Sequence, residues 1–184
     1  MNFKMVLKSL GVLLACEAIA MLPSLAVAII YNDQGISAFS YTILILILIG
    51  LPLIRLKPYS TNIYAKDGFA IVALGWIIMS ILGSLPFYFS GAIPSLIDGF
   101  FEAVSGFTTT GASILKVVEG LPNSIIFWRS FTHWIGGMGV LVLTLAILPS
   151  VGATSLYIMR AESPGPNPGK LVPKVGKTAK ILYS

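Results

Sequence analysis

Apolar runs close to twenty residues long recur through the chain, and they decide what it can fold into. A helix of that length rises about 30 Å, the thickness of a bilayer's hydrocarbon core. In hydrocarbon each backbone N–H and C=O must be satisfied within the span, which selects helices over open strands. Composition agrees, since 56% of the 184 residues are hydrophobic and 10% are charged, whereas a soluble domain carries about 25% charged residues. A cytosolic globule, a disordered tail and a disulfide-rich secreted module are excluded, the last because Cys16 has no second cysteine to pair with. The expected fold class is an all-α polytopic membrane protein.

The first run, about Val6 to Tyr31, is interrupted by Glu17 and Pro23 and ends in the turn-like Asn32-Asp33-Gln34-Gly35. A kink is expected near Pro23. No small-residue cleavage site follows a short apolar segment, so the run reads as a span rather than a signal peptide. The second run, Phe39 to Ile54, contains Ile43-Leu44-Ile45-Leu46-Ile47-Leu48-Ile49, apolar all round, which suits a lipid-facing helix. Its length and the basic stop at Arg55 favour helix over a buried strand. Lys66-Asp67-Gly68 opens a third span, about Phe69 to Ser90, and a fourth runs from about Ser124 to Leu148, closing at Pro149-Ser150.

A net charge of +5 suggests nucleic acid until the positions are read. Ten of the twelve basic residues form three groups flanking the spans: Lys4 and Lys8; Arg55, Lys57 and Lys66; and Arg160, Lys170, Lys174, Lys177 and Lys180. Lys116 and Arg129 fall on the other side with Asp33, Asp98, Glu102 and Glu119. Positive-inside bias explains this pattern and predicts two cytoplasmic ends, with no nucleic-acid partner. Pro164-Gly165-Pro166-Asn167-Pro168-Gly169 reads as a cytoplasmic linker whose basic neighbours face anionic lipid or a regulatory partner.

Between the third and fourth spans lies a segment too short for a crossing and too apolar for a loop. Asp98 and Glu102 stand four residues apart in its first turn, and Thr108-Thr109-Thr110-Gly111-Ala112-Ser113 follows. A helix from Asp98 to Phe107 rises about 15 Å, half the hydrocarbon thickness, and five extended residues reach about as far back. The segment can therefore enter and leave on the same side. Non-helical backbone at that depth must be buried in protein or line a water-filled path. The negative end of the short helix would favour a cation, and carbonyls of Thr109, Thr110 and Gly111 could replace its water. Gly111 can take left-handed angles that other residues resist. The plainer reading is a polar turn between two helices.

Gly99-Phe100-Phe101-Glu102-Ala103-Val104-Ser105-Gly106-Phe107-Thr108-Thr109-Thr110-Gly111-Ala112-Ser113 resembles the first pore loop of the Trk/Ktr/HKT superfamily of potassium transporters. Phe127-Trp128-Arg129-Ser130-Phe131-Thr132-His133-Trp134-Ile135-Gly136-Gly137-Met138-Gly139 resembles the start of the following helix in its bacterial members. Glu162-Ser163-Pro164-Gly165-Pro166 and Lys170-Leu171-Val172-Pro173-Lys174 resemble the cytoplasmic connector beyond it. The specific resemblance covers about Phe69 to Ser184; the first sixty residues match only as two extra spans. It implies four transmembrane helices plus one re-entrant pore helix and an extended filter loop. The expected division is 1–66, two N-terminal helices; 67–150, a helix, pore-loop, helix unit; and 151–184, a connector.

In that superfamily four such units in one polypeptide surround a single ion path. The resemblance makes Thr109, Thr110, Gly111 and Ala112 this chain's filter contribution, with potassium held at Thr109, Thr110 and Gly111. Because one unit is present where the family has four, the chain reads as the N-terminal portion of a longer protein, or as a truncated or split product. The resemblance further implies a potassium-uptake subunit of the bacterial inner (plasma) membrane, with no chemical step and no organic cofactor in this chain. Its implied partners are the remaining pore units, a second copy in a homodimer, a cytoplasmic nucleotide-binding ring and membrane lipid. The competing function is a truncated, non-conducting assembly subunit of the same complex.

Other residues carry two readings each. Glu17 lies inside a span, which by default suggests function; a neutral or hydrogen-bonded packing role competes with it. His133 could suggest a metal or proton relay but lacks partners at ligand spacing. Arg129 either braces the pore loop, through its carbonyls or an acid such as Glu102, or anchors the helix at the interface. Gly136, Gly137 and Gly139 give the fourth helix a thin face, for close packing or for a gating bend. An enzyme would need a convergent acid, base or nucleophile set, and none is found.

Overall fold

The computed structural model describes residues 2–58, 65–118, 120–137 and 139, which form helices and the turns between them, with no strand among them. Among the described residues, three stretches are long and apolar enough to cross a membrane: Phe3–Tyr31, Gly35–Ile54 and Lys66–Phe89.

The first stretch is two helices, α1 (Phe3–Ala20) and α2 (Leu22–Tyr31), separated at Met21. Pro23 sits in the first turn of α2, where its missing N–H costs least, and the irregularity falls just before it. Asn32 closes α2 with φ 49°, a left-handed conformation asparagine tolerates. α3 (Gly35–Ile54) begins earlier than Phe39, because the Asp33 carboxylate accepts the Gly35 N–H at 2.8 Å and so satisfies a group that would otherwise end the helix unpaired. Its apolar surface is not all lipid-facing. Gly35, Ala38, Phe39, Thr42, Leu46 and Gly50 form one buried stripe, while Leu44, Ile47, Leu48 and Leu51 stay exposed. The apolar run at 43–49 hid this division, whose signal is size: the buried stripe is mostly small residues that allow close helix approach, and the exposed face is large aliphatic ones.

The third stretch breaks at Ser84 into α4 (Ala65–Gly83) and α5 (Leu85–Phe89), with Pro86 just inside α5. The Phe87 N–H bonds to Ser84 O instead of reaching back to Gly83, and the indole N–H of Trp128 takes the Gly83 carbonyl at 2.9 Å. α6 (Leu96–Phe107) and α7 (Asn123–Gly137) complete the described helices. The fourth predicted span thus begins as α7; its remainder, the closing Pro149-Ser150 and the 151–184 connector lie outside the described residues.

α1 packs on α3 and α4, while α6 lies between α4 and α7, and α7 reaches α2. The core between them holds Leu13, Leu14, Phe39, Phe87, Phe107 and Trp128, with Trp128 edge-on to both Phe39 and Phe107. Two carboxylates also tie helix starts together. The Asn2 N–H donates to Asp67 at 2.9 Å, joining the starts of α1 and α4. Asp33 accepts the Ser124 N–H at 3.0 Å and its hydroxyl at 2.8 Å, so one carboxylate holds the starts of α3 and α7 together. A carboxylate at a helix N-terminus is favoured by unpaired N–H groups and the dipole together. Asp33→Ala should therefore cost about 2 kcal/mol, read as a lower melting temperature of the detergent-solubilised protein. An unchanged melting temperature would show that the tie is not needed.

Candidate functional site

α6 is amphipathic and half as long as a crossing. The Ser95 hydroxyl caps it by accepting the Asp98 N–H at 3.3 Å, and Asp98 lies in the first turn as expected. Glu102 does not. Because the helix starts at Leu96, Glu102 is already in the second turn, and its carboxylate, 1% exposed, turns sideways to the descending chain instead of toward the helix end. It accepts the Ser113 hydroxyl at 2.9 Å, the Ile114 N–H at 3.3 Å and the Arg129 Nε–H at 2.5 Å. Arg129 comes from α7, so one buried carboxylate joins α6, α7 and the segment after Gly111.

The helix ends in a Schellman closure. The Thr109 N–H bonds to Gly106 O at 2.9 Å and the Thr110 N–H to Ser105 O at 3.0 Å, with Thr109 at φ 56°. Glycine is the usual residue there, and a β-branched side chain at positive φ is strained. The Thr108 hydroxyl donates to Val104 O at 2.7 Å and lies 2.8 Å from the Thr110 hydroxyl. The carbonyls of Val104, Ser105 and Gly106 are thereby occupied, leaving any ligation to the loop that follows. Gly111 has φ 77°, and among the described residues nothing beyond its chain neighbours lies within 4 Å of the position a Cβ would take. Thr109, Thr110, Gly111, Ala112 and Ser113 are all exposed on this side of the chain.

Behind this loop α7 comes very close. A Cβ on Gly136 would run into the Phe107 carbonyl, and one on Gly137 would touch the Thr109 methyl at 3.8 Å. Gly139 has φ 74° and bonds back to Gly136 O at 3.0 Å. His133 Nδ1 sits 2.9 Å from Arg129 O, one turn earlier on its own helix, and the described residues contain no metal-binding group of His, Cys, Asp and Glu. Glu17 sets its carboxyl over Gly83, where the Phe107 ring also packs; neither carboxyl oxygen has a hydrogen-bond partner among the described residues.

Two contributors escaped the sequence reading. Ser105, 4% exposed, donates its hydroxyl to Ala112 O at 2.5 Å, so that carbonyl is turned to the helix. Ser113 bridges to Glu102. The available signal was a Glu-x-x-Ser spacing, which puts Glu102 and Ser105 on one helical face.

The chain as a whole is similar to known proteins. The family model described as TrkH, cation transport protein, matches residues 35–184. The Trk system potassium uptake protein TrkH of Vibrio parahaemolyticus is 37% identical over 186 residues, covering 100% of this chain and 38% of that protein. Its counterpart in Escherichia coli strain K12 is 38% identical over 187 residues, with 100% and 38% covered. An uncharacterized cation transporter of Methanocaldococcus jannaschii is 35% identical over 159 residues, covering 86% of this chain and 33% of that one. The crystal structure of the potassium transporter TrkH from Vibrio parahaemolyticus superposes with a TM-score of 0.76 at 34% identity, over 100% of this chain and 36% of that chain. The chain spans well under half the length of the relatives it matches, and the likeness extends to the first two spans, where the motifs alone were not specific. With a family model over most of its length, membrane-length helices and a half-length helix leading into a threonine-glycine loop, the chain belongs to the TrkH family of cation transport proteins.

Proposed function

We propose that this chain supplies one pore unit, with its two preceding helices, of a potassium-uptake transporter in the plasma (bacterial inner) membrane. The observation that carries this reading is Gly111, held at φ 77° in an exposed loop at the C-terminal end of a half-length helix. In this reading α6 enters the membrane from outside as a pore helix, Thr109 to Gly111 present carbonyls to a dehydrated potassium ion, and the Glu102–Arg129 pair braces the loop from behind. Gly136 and Gly137 serve close packing, because α7 lies directly on the end of α6. The protein performs no chemical step. Potassium is its cargo, and the path is closed by three further pore units. A homodimer, a cytoplasmic nucleotide-binding ring and lipid at the basic connector complete the proposed assembly.

The proposed unit boundaries at 66 and 150 follow topology rather than packing, since Asn2 and Asp33 tie the first helices to α4 and α7. Both chain ends lie in the cytoplasm, as the basic groups require. A cysteine at Lys174 should react with an impermeant label from the inside alone; reaction from the outside alone would reverse the orientation.

One filter segment is one wall of an ion cage. The 184-residue chain alone, reconstituted in potassium-loaded vesicles, should show no selective flux, whereas supplying the other three units should restore growth on low potassium to a strain lacking its own uptake systems. A robust selective flux from the chain alone would replace the single-polypeptide path with four assembled copies. Folded, membrane-inserted protein that never supports growth in the complete assembly would identify a non-conducting assembly subunit.

A further inference from the structure

Gly111 is flanked by two attachments to the same residue. On one side the Ser105 carbonyl accepts the Thr110 N–H at 3.0 Å; on the other the Ser105 hydroxyl donates to the Ala112 carbonyl at 2.5 Å. Ser105 is 4% exposed and lies in α6, where its backbone is fixed by the helix. One turn earlier on that face, Glu102 holds the next two residues, Ser113 and Ile114. The chain is thus fastened to α6 at 110, 112, 113 and 114, leaving Gly111 between fixed neighbours. The φ of 77° at Gly111 is a conformation a flexible loop would share with several others; two anchored neighbours select it.

From this geometry we infer that Ser105 is a positioning residue for ion selection, its hydroxyl holding the Ala112 carbonyl against the pore helix so that the carbonyls this segment presents are those of Thr109, Thr110 and Gly111. The inference rests on the pore-loop reading above and sharpens it. Ala112 then acts as an anchor, not as an ion ligand. Releasing its carbonyl gives the loop a fourth oxygen free to turn toward the path and loosens Gly111. Discrimination between potassium and sodium depends on carbonyls held at fixed spacing and number, so it responds before folding does. The attachment of Thr110 is made by the backbone and survives any side-chain change at 105, which confines the effect of substitution to the Ala112 side.

The test uses the assembled transporter in vesicles, with Ser105→Ala, Ser105→Thr and Gly111→Ser compared by the ratio of potassium to sodium uptake, a quantity independent of how much protein is inserted. Ser105→Ala is nearly isosteric and should lower the ratio about fivefold, the range expected for one neutral hydrogen bond, with unchanged thermal stability to within a few degrees. Ser105→Thr keeps the hydroxyl and should restore the ratio to within about twofold of the parent. If Ser105→Ala keeps the parental ratio while Gly111→Ser loses it, the positioning role is wrong and the pore-loop reading stands. If neither substitution moves the ratio, both fall together. Equal loss in Ser105→Ala and Ser105→Thr would also overturn the inference, because the hydroxyl would then not be the cause.

Discussion

Gly111→Ser in the assembled transporter should lower potassium uptake about tenfold at equal membrane expression, or admit sodium to a comparable degree. The cause is the backbone, since among the described residues nothing beyond Gly111 and its chain neighbours lies within 4 Å of the position the new Cβ would occupy. At φ 77° an L side chain costs about 1–2 kcal/mol, which is about tenfold in an equilibrium constant. The loop relieves that cost by rotating, and its carbonyls rotate with it. The new side chain also projects from the exposed face, where the other three units would close the path. His133→Ala is the matched comparison. His133 Nδ1 lies against the Arg129 carbonyl of its own helix, so its loss should lower the amount of folded protein and leave potassium affinity in place. Intact affinity and sodium exclusion in Gly111→Ser, together with abolished transport in normally expressed His133→Ala, would move the mechanism from the loop to the histidine.

Glu102→Ala should be the most damaging change to folding, by about 3 kcal/mol. Removing one partner of a buried ion pair leaves the other charge uncompensated, and Arg129, 20% exposed against 1% for Glu102, has limited access to water. The same substitution strips the Ser113 hydroxyl and the Ile114 N–H of their acceptor. Glu102→Gln keeps an acceptor but loses the charge, and should fall between parent and alanine. Thermal unfolding in detergent, with the melting temperature read from loss of monodisperse protein, measures the order. A Glu102→Ala protein as stable as the parent would show that Arg129 finds another partner and that the strut is dispensable.

The helices were legible because their causes are local. The twenty-residue apolar runs, the Pro23 irregularity, the Asn32 turn and the basic stop at Arg55 each follow from a few neighbouring residues. The half-length of α6 and the left-handed glycine after it could be read the same way, and they singled out the loop. Misreadings began where a residue's partner lies far along the chain. Glu102 carries two readings, a helix-terminus acid beside Asp98 and a partner for Arg129; the helix starts two residues before Asp98 and Glu102 turns to Ser113 and Arg129, so the first fails and the second holds. α3 reads as lipid-facing from its aliphatic run, yet its small residues Gly35, Ala38, Thr42 and Gly50 are buried inside the bundle, and which helix they meet is set by packing.

Periodicity and punctuation alone thus determined that this is a helical membrane protein with a threonine-glycine loop after a short helix. Only the tertiary structure decided what holds that loop: the Arg129 Nε on Glu102, the Ser105 hydroxyl on Ala112, and Gly136 pressed to the Phe107 carbonyl. The reason is physical. Hydrophobicity and helix capping act over one or two turns and leave a trace in the order of residues, whereas a buried carboxylate accepts any suitably placed donor. Which donor it meets, 11 or 27 residues away, is set by the approach of packed helices.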